Sequence, residues 1–163
     1  MAAPDPKIVT LVGQLAQASD RSQAEAVAAQ LESVREQSVQ PAVRLLLRRA
    51  QHEMAAGKRQ SAVSDLDDAL ALQPDSALLW RERAAAHDLD GDLDAAVQDL
   101  GGSISRDASD VLAWQALSAV EEQRGNATAA WRAWQHVLTL DPMIVDGGHR
   151  LDQLRRKALG QPA

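Results

Sequence analysis

The chain has 163 residues, the length of one ordinary domain, and no cysteine, which excludes disulfides, thiolate metal sites and cysteine nucleophiles. A formal net charge of -6 argues against a basic nucleic-acid groove, and no apolar run is long enough to cross a bilayer. Alanine and leucine dominate the apolar set, Phe and Tyr are absent, and the aromatics are Trp80, Trp114, Trp131 and Trp134. That composition favours helices over strands, so an all-α protein is expected.

The chain opens on "MAAPDP", where Ala2-Ala3-Pro4 has the small residues that follow a cleaved export signal. A periplasmic or otherwise exported setting is the expectation, with a cytoplasmic one as the alternative. The first element is "PKIVTLVGQLAQA", with Ile8, Val9, Leu11, Val12 and Leu15 on a broad helical face. Asp20-Arg21-Ser22 makes a turn, and Ser22 with Glu25 reads as a capping box for a second helix. That helix, "SQAEAVAAQLESVREQ", carries Ala24, Val27, Ala28, Leu31 and Val34 at helical spacing and ends at Gln40-Pro41.

From Val43 onward the chain repeats with a period of 34 residues. Gly57, Gly91 and Gly125 coincide, as do Ala62, Ala96 and Ala130. Leu46 meets Trp80 and Trp114, Leu66 meets Leu100 and Trp134, and Ala50 and Ala84 meet Ser118. Leu70, Ile104 and Leu138 form a further column, and Pro74 and Pro142 stand two periods apart with Ala108 between them. Large and small residues in fixed order at one period indicate stacked helical hairpins. The large residue fills the space between helices, and the small one a turn later admits the partner helix. The glycine ends the first helix in a left-handed cap. Asp92 and Asn126 follow to cap the second helix, and proline stops that helix. Gly101-Gly102 inside the second hairpin costs about 1 kcal/mol per glycine against alanine, so this helix is expected to bend or fray.

The last segment, "MIVDGGHRLDQLRRKALG", places Leu151, Leu154 and Ala158 on an inner stripe. Charge is unevenly spread: Asp75 to Asp141 holds twelve acidic and five basic residues, and Met143 onward holds four basic and two acidic. The cluster Arg150, Arg155, Arg156 and Lys157 reads as a solvated face rather than a membrane anchor.

The segments "LWRERAAAHDLDGDLDAAVQDLGGSISRDAS" and "AWQALSAVEEQRGNATAAWRAWQHVLTLDP", preceded by "GKRQSAVSDLDDALALQP", resemble tetratricopeptide repeats (TPRs) over Val43 to Pro142. Leu46 for an aromatic, Arg83 for an apolar residue and Ala108 for proline depart from that pattern. The resemblance implies an α-α superhelix: repeats at 43–76, 77–110 and 111–144, a divergent capping hairpin at 6–40 and a capping helix at 145–159. A divergent hairpin before three repeats is also similar to small exported bacterial TPR proteins. The implied function is non-catalytic, a scaffold that binds a peptide or partner helix in a concave groove. Its lining would be Arg44, Leu47, Gln51 and Met54 in the first repeat and Leu78, Arg81, Ala85 and Asp88 in the second. In the third it would be Leu112, Gln115, Ala119 and Glu122. The alternative is a structural role by homo-oligomeric self-association. Some TPR proteins hold a C-terminal carboxylate through a lysine and asparagine clamp. Here Val43 to Pro142 has one lysine, Lys58, and one asparagine, Asn126, both in turns, which disfavours that ligand class.

Other chemistry in the sequence is weaker. "HDLDGDLDAAVQDL" spaces Asp88, Asp90, Asp92 and Asp99 as in a calcium loop, but Leu93 stands where the sixth-position glycine is needed. The repeat accounts for Gly91, and Asp92 and Asp94 suit a helix N-terminus. "HEMAA" has Ala56 where a zinc-protease motif needs its second histidine. His52, His87, His136 and His149 share no metal-ligand spacing. Asn126-Ala127-Thr128 is formally a glycosylation sequon and reads better as a helix cap. The tryptophans occupy core columns except Trp131, whose column otherwise holds Val63 and Val97. No cofactor or metal is expected, and neither nucleic acid nor membrane insertion.

Overall fold

A computed structural model of the chain describes residues 4–161; Ala2 and Ala3 lie outside them. Among the described residues the chain is all helical: α1 (Pro6–Ala16), α2 (Arg21–Gln37), α3 (Pro41–Ala55), α4 (Arg59–Leu72), α5 (Ala77–Asp90), α6 (Leu93–Arg106), α7 (Val111–Gln123), α8 (Ala127–Leu140) and α9 (Gly147–Ala158). The expected all-α repeat fold is the one observed. The chain divides into two compact units. One is Arg35–Ala108; the other joins the chain before residue 35 to the chain from Ser109 onward.

The hairpins are built from the period. Gly57, Gly91 and Gly125 all have positive φ, between 75° and 84°. After each glycine the next N–H reaches back to the carbonyl five residues earlier: Lys58 to Glu53, Asp92 to His87 and Asn126 to Glu121, at 2.8–2.9 Å. That is a Schellman-type stop, and a Cβ at the left-handed position would strain it. Asp92 and Asn126 then cap α6 and α8, accepting from the N–H groups of Ala95 and Ala129. Between the helices Ala62, Ala96 and Ala130 are fully buried. Ser118 breaks its alanine column because its hydroxyl donates to the Ala130 carbonyl at 2.9 Å. Leu66 and Leu100 are fully buried. Each contributes about 1.5–3 kcal/mol, more than the ~1 kcal/mol of a typical cap. Packing columns therefore hold the hairpins, and caps set where helices start.

Two local expectations are corrected. The cap of α2 is Asp20, which accepts from Gln23 N–H at 2.9 Å, while Gln23 Oε1 accepts from Ser19 N–H at 2.9 Å. The motif therefore starts two residues before Ser22, because Arg21 is already helical. Helix α6 does not fray at Gly101-Gly102 but runs on to Arg106. The reason is packing: a Cβ on Gly102 would lie 2.7 Å from the Trp80 ring. At Ala108, where the repeat lacks its proline, α6 still ends at Arg106. Gln73, Asp107 and Asp141 close α4, α6 and α8 with nearly the same backbone angles, so the inter-repeat turn forms without proline.

In the unit Arg35–Ala108, α3–α4 and α5–α6 are hairpins and α4 packs on α5. A core of Val43, Leu47, Leu66, Leu70, Leu78 and Leu79 joins them. Arg35 at the end of α2 donates to Asp107 at 2.9 Å, and both groups are largely buried. In the other unit, α7–α8 form a hairpin and α9 packs on α8 through Leu154, which is fully buried. The α1–α2 stripe of Leu15, Ala24, Val27 and Leu31 shares its core with Val111 at the head of α7, and α1 touches α8. A cap placed ahead of the first repeat does not imply this contact with the third.

Candidate functional site: the inner helix faces

The residues expected to line a groove lie on the first helix of each hairpin, α3, α5 and α7. In the unit Arg35–Ala108 several of them are closed. Leu47 and Leu78 are 2% and 3% exposed and belong to the core shared by α3, α4 and α5. Arg81 is 8% exposed. These three are corrected from open lining to buried positions: Leu47, the fifth position of the first repeat, and Leu78, the second of the next, meet in one core, and Arg81 is buried as well. Met54 is half-buried against the same core. Arg44 turns back to donate to the carbonyls of Val39 and Gln37 at the end of α2. Gln51 donates to Glu82 at 3.3 Å. Asp88 is half-buried and Ala85 is exposed.

In the other unit the face of α7 is more open. Leu112 is 45% exposed, Ala119 is exposed and Gln115 is half-buried between them. Spacings of three and four residues put them on one stripe. Glu122 ends that stripe and is gripped by Arg150 and Lys157 of α9. Burial pushes its carboxyl up, but the two cations outweigh that and hold it below the ordinary glutamate range. This ion cluster anchors α9 to α7. Part of the basic C-terminal cluster is thus structural, while Arg155 and Arg156 remain exposed.

The acidic turn of the second repeat is used by the fold. Asp92 caps α6, and Asp99 accepts from Arg83 Nε and Nη2, both at 2.8 Å. Among the described residues no group of three or more His, Cys, Asp or Glu side chains is placed to hold a metal ion. Of the tryptophans, Trp80 lies between Arg83 and Arg106, whose guanidinium carbons are 5.1 and 4.5 Å from its ring centre. Its indole N–H donates to the Pro74 carbonyl at 2.8 Å. Trp134 donates to the Gly147 carbonyl at 2.9 Å, which fixes the start of α9. Trp131 packs on the Ala130–Leu154 core with its indole N–H buried and without a hydrogen-bond partner.

One recurring pair went unread in the sequence. Arg49 is bonded to Asp65 as Arg83 is to Asp99, one period on. The carboxylates lie within their hairpins and fix the crossing of first and second helix. Arg83 is where an apolar residue was expected, and its charge is compensated in this way. In the third repeat the same positions are Leu117 and Ala133, which line a cleft of about 260 Å³ beside the stacked rings of Trp114 and His136. The 34-residue shift that aligned the glycines also aligns these four charges and would have found them.

No family model matches the chain, and no curated protein sequence matches it. Solved structures do. The Sgt2 TPR domain from Aspergillus fumigatus is 21% identical with a TM-score of 0.69, covering 76% of this chain and 87% of that one. The first TPR of Spaghetti (RPAP3), solved with an HSP90 peptide SRMEEVD, is 18% identical with a TM-score of 0.68, covering 73% and 94%. MamA is 16% identical with a TM-score of 0.64 and covers 98% of this chain and 91% of its own. The fold is therefore that of TPR domains.

Proposed function

We propose that the chain is a non-catalytic protein-interaction module that holds an extended peptide or a partner's helix against the inner face of α7. The observation that carries this reading is the open stripe Leu112–Gln115–Ala119, while inner-face residues Leu47, Leu78 and Arg81 are buried. A stripe with leucine and alanine about a central glutamine, ending at Glu122, suits one face of a helix or alternate side chains of a strand. The solved first TPR of Spaghetti holds a peptide, which supports the class of ligand. An acidic peptide such as SRMEEVD is not the expected ligand here. Lys58 and Asn126 sit at the starts of α4 and α8, so the lysine and asparagine clamp has no counterpart on the inner helices. The polar groups found around these helices serve as caps and ion pairs, which favours binding over catalysis. An exported setting is part of this proposal, and fractionation of the native host tests it.

The test is affinity capture from the native host with the unaltered chain and with Leu112→Glu and Ala119→Glu. Both positions are exposed, so the variants are expected to fold. The partner should be lost from both. Recovery of the same partner by both variants places binding elsewhere.

A further inference from the structure

The 34-residue register exposes an asymmetry between repeats. Leu45, Leu79 and Ala113 occupy one column, and His52, Ala86 and Val120 another. In the second and third repeats these positions are buried, at 2% exposure or less. In the first, Leu45 is 68% exposed and His52 is exposed. Within the unit Arg35–Ala108 the cover over the second-repeat positions is visible: α4 packs on α5, and Leu79 and Ala86 share a core with Leu66, Ala69 and Leu70. The face is thus shaped to receive a helix.

The charges say which kind. Arg83 on α5 receives two carboxylates: Asp99 from its own hairpin and Asp67 from the covering helix α4, the latter at 2.8 Å. Its counterpart Arg49 holds Asp65 from its own hairpin. Among the described residues no carboxylate of a covering helix reaches it, and its side chain is 60% exposed. Arg48, one residue before it, is also exposed. A covering helix with an acid at the position of Asp67 would meet two arginines and a histidine around an apolar residue.

We propose that this edge of α3 is a second interaction surface, a seat for an acidic amphipathic helix of a partner protein. Leu45 would be its buried contact and Arg49 its carboxylate contact. The surface is separate from the α7 stripe and does not depend on it. A second copy offering its C-terminal helix fits poorly, because exposed Arg155 and Arg156 would approach Arg48 and Arg49.

The probe is a synthetic, fluorescein-labelled peptide of residues 59–74, "RQSAVSDLDDALALQP", which copies the helix that covers α5. The full chain is titrated into it, and anisotropy is followed with amide chemical shifts. The expected result is saturable binding with shifts at Leu45, Arg48 and Arg49. Binding should weaken at least tenfold for Leu45→Glu in the protein and for Asp67→Lys in the peptide. Leu112→Glu should leave it unchanged, which separates this seat from the proposed peptide stripe. Leu45 is exposed, so its variant should keep the parent circular dichroism. No saturable binding at millimolar protein overturns the proposal, as does equal binding by the Leu45→Glu protein. A concentration-dependent dimer abolished by Leu45→Glu would assign the face to a second copy and equally overturn it.

Discussion

Gly102 shows how one residue can be misjudged from propensity alone. In an isolated helix, alanine would improve on it by about 1 kcal/mol. Here the Trp80 ring lies on the α6 backbone, and an added Cβ would meet ring carbons at 2.7, 3.1 and 3.2 Å. The ring cannot retreat easily, since its N–H is bonded to Pro74. Gly102→Ala is therefore expected to destabilise by roughly 1–3 kcal/mol, the range for overpacking. Gly101→Ala, with nothing within 4 Å, should stabilise by up to about 1 kcal/mol. Urea midpoints of the two variants check this, and equal shifts of one sign would show that Trp80 does not constrain the helix. Two carboxylates carry opposite pH signatures. The Glu122 carboxyl is held low by Lys157 and Arg150 against its burial. Its contribution is fully present above the unfolded glutamate pKa of about 4.3 and is lost as pH falls through the lower folded value. The Asp141 carboxyl is pushed up by burial, partly opposed by the Met143 N–H. Its contribution is present below the unfolded aspartate pKa of about 3.9 and is lost as pH rises through the raised folded value. Glu122→Gln should lower the Tm at pH 7, and the loss should shrink as pH falls below the unfolded glutamate pKa. Asp141→Asn keeps an oxygen for Met143 and should raise the Tm at pH 7 with no gain at pH 3.

Helix ends were the most legible elements, because each is made by local chemistry. Gly91 and Asp92 stop one helix and start the next through bonds spanning five residues or fewer. The start of α2 was misplaced because Ser22 and Glu25 have the same spacing as Asp20 and Gln23; only the chain direction at Arg21 decides between them. The close of α6 without proline is made by backbone angles at Asp107 that match those at Gln73 and Asp141, which the residue types at those positions do not reveal. Helix α7 is the element where a cap should matter most. Asp110 is fully buried and accepts from the N–H groups of Leu112 and Ala113 at 3.1 and 3.4 Å. Asp110→Ala is expected to cost about 2 kcal/mol, the upper end for a cap, since burial denies water as a substitute. Hydrogen exchange should rise in the first turn of α7 before it rises in α8. Uniform acceleration across both helices would point to global unfolding instead.

At the scale of the molecule, the repeat count concealed a different division. Three consecutive repeats suggest one array, but the third lies in one unit with the N-terminal hairpin and α9. Leu15 and Leu31, each 1% exposed, and Val111 hold that hairpin to the third repeat. A chain beginning at Arg35 should lose amide protection in α7 and α8 far more than in α3–α6. Its urea unfolding should separate into two transitions. Unchanged protection in α7 would show that the hairpin contributes nothing to this unit. The stripe at Leu112 and the seat at Leu45 also belong to different units, so Leu112→Glu and Leu45→Glu are expected to act additively.

The sequence by itself determined the helices, their period, the left-handed glycine stops and the small-residue crossings, because each depends on neighbours within one hairpin. It also set the charge pairs Arg49–Asp65 and Arg83–Asp99, which follow the same register. Only the tertiary structure decided which inner-face residues stay open and which long-range pair forms at Arg35 and Asp107. It alone placed Val111 against the N-terminal hairpin and left Leu45 uncovered. Burial of a side chain depends on segments distant along the chain, and a periodic sequence assigns the same face to every repeat whether or not something packs there.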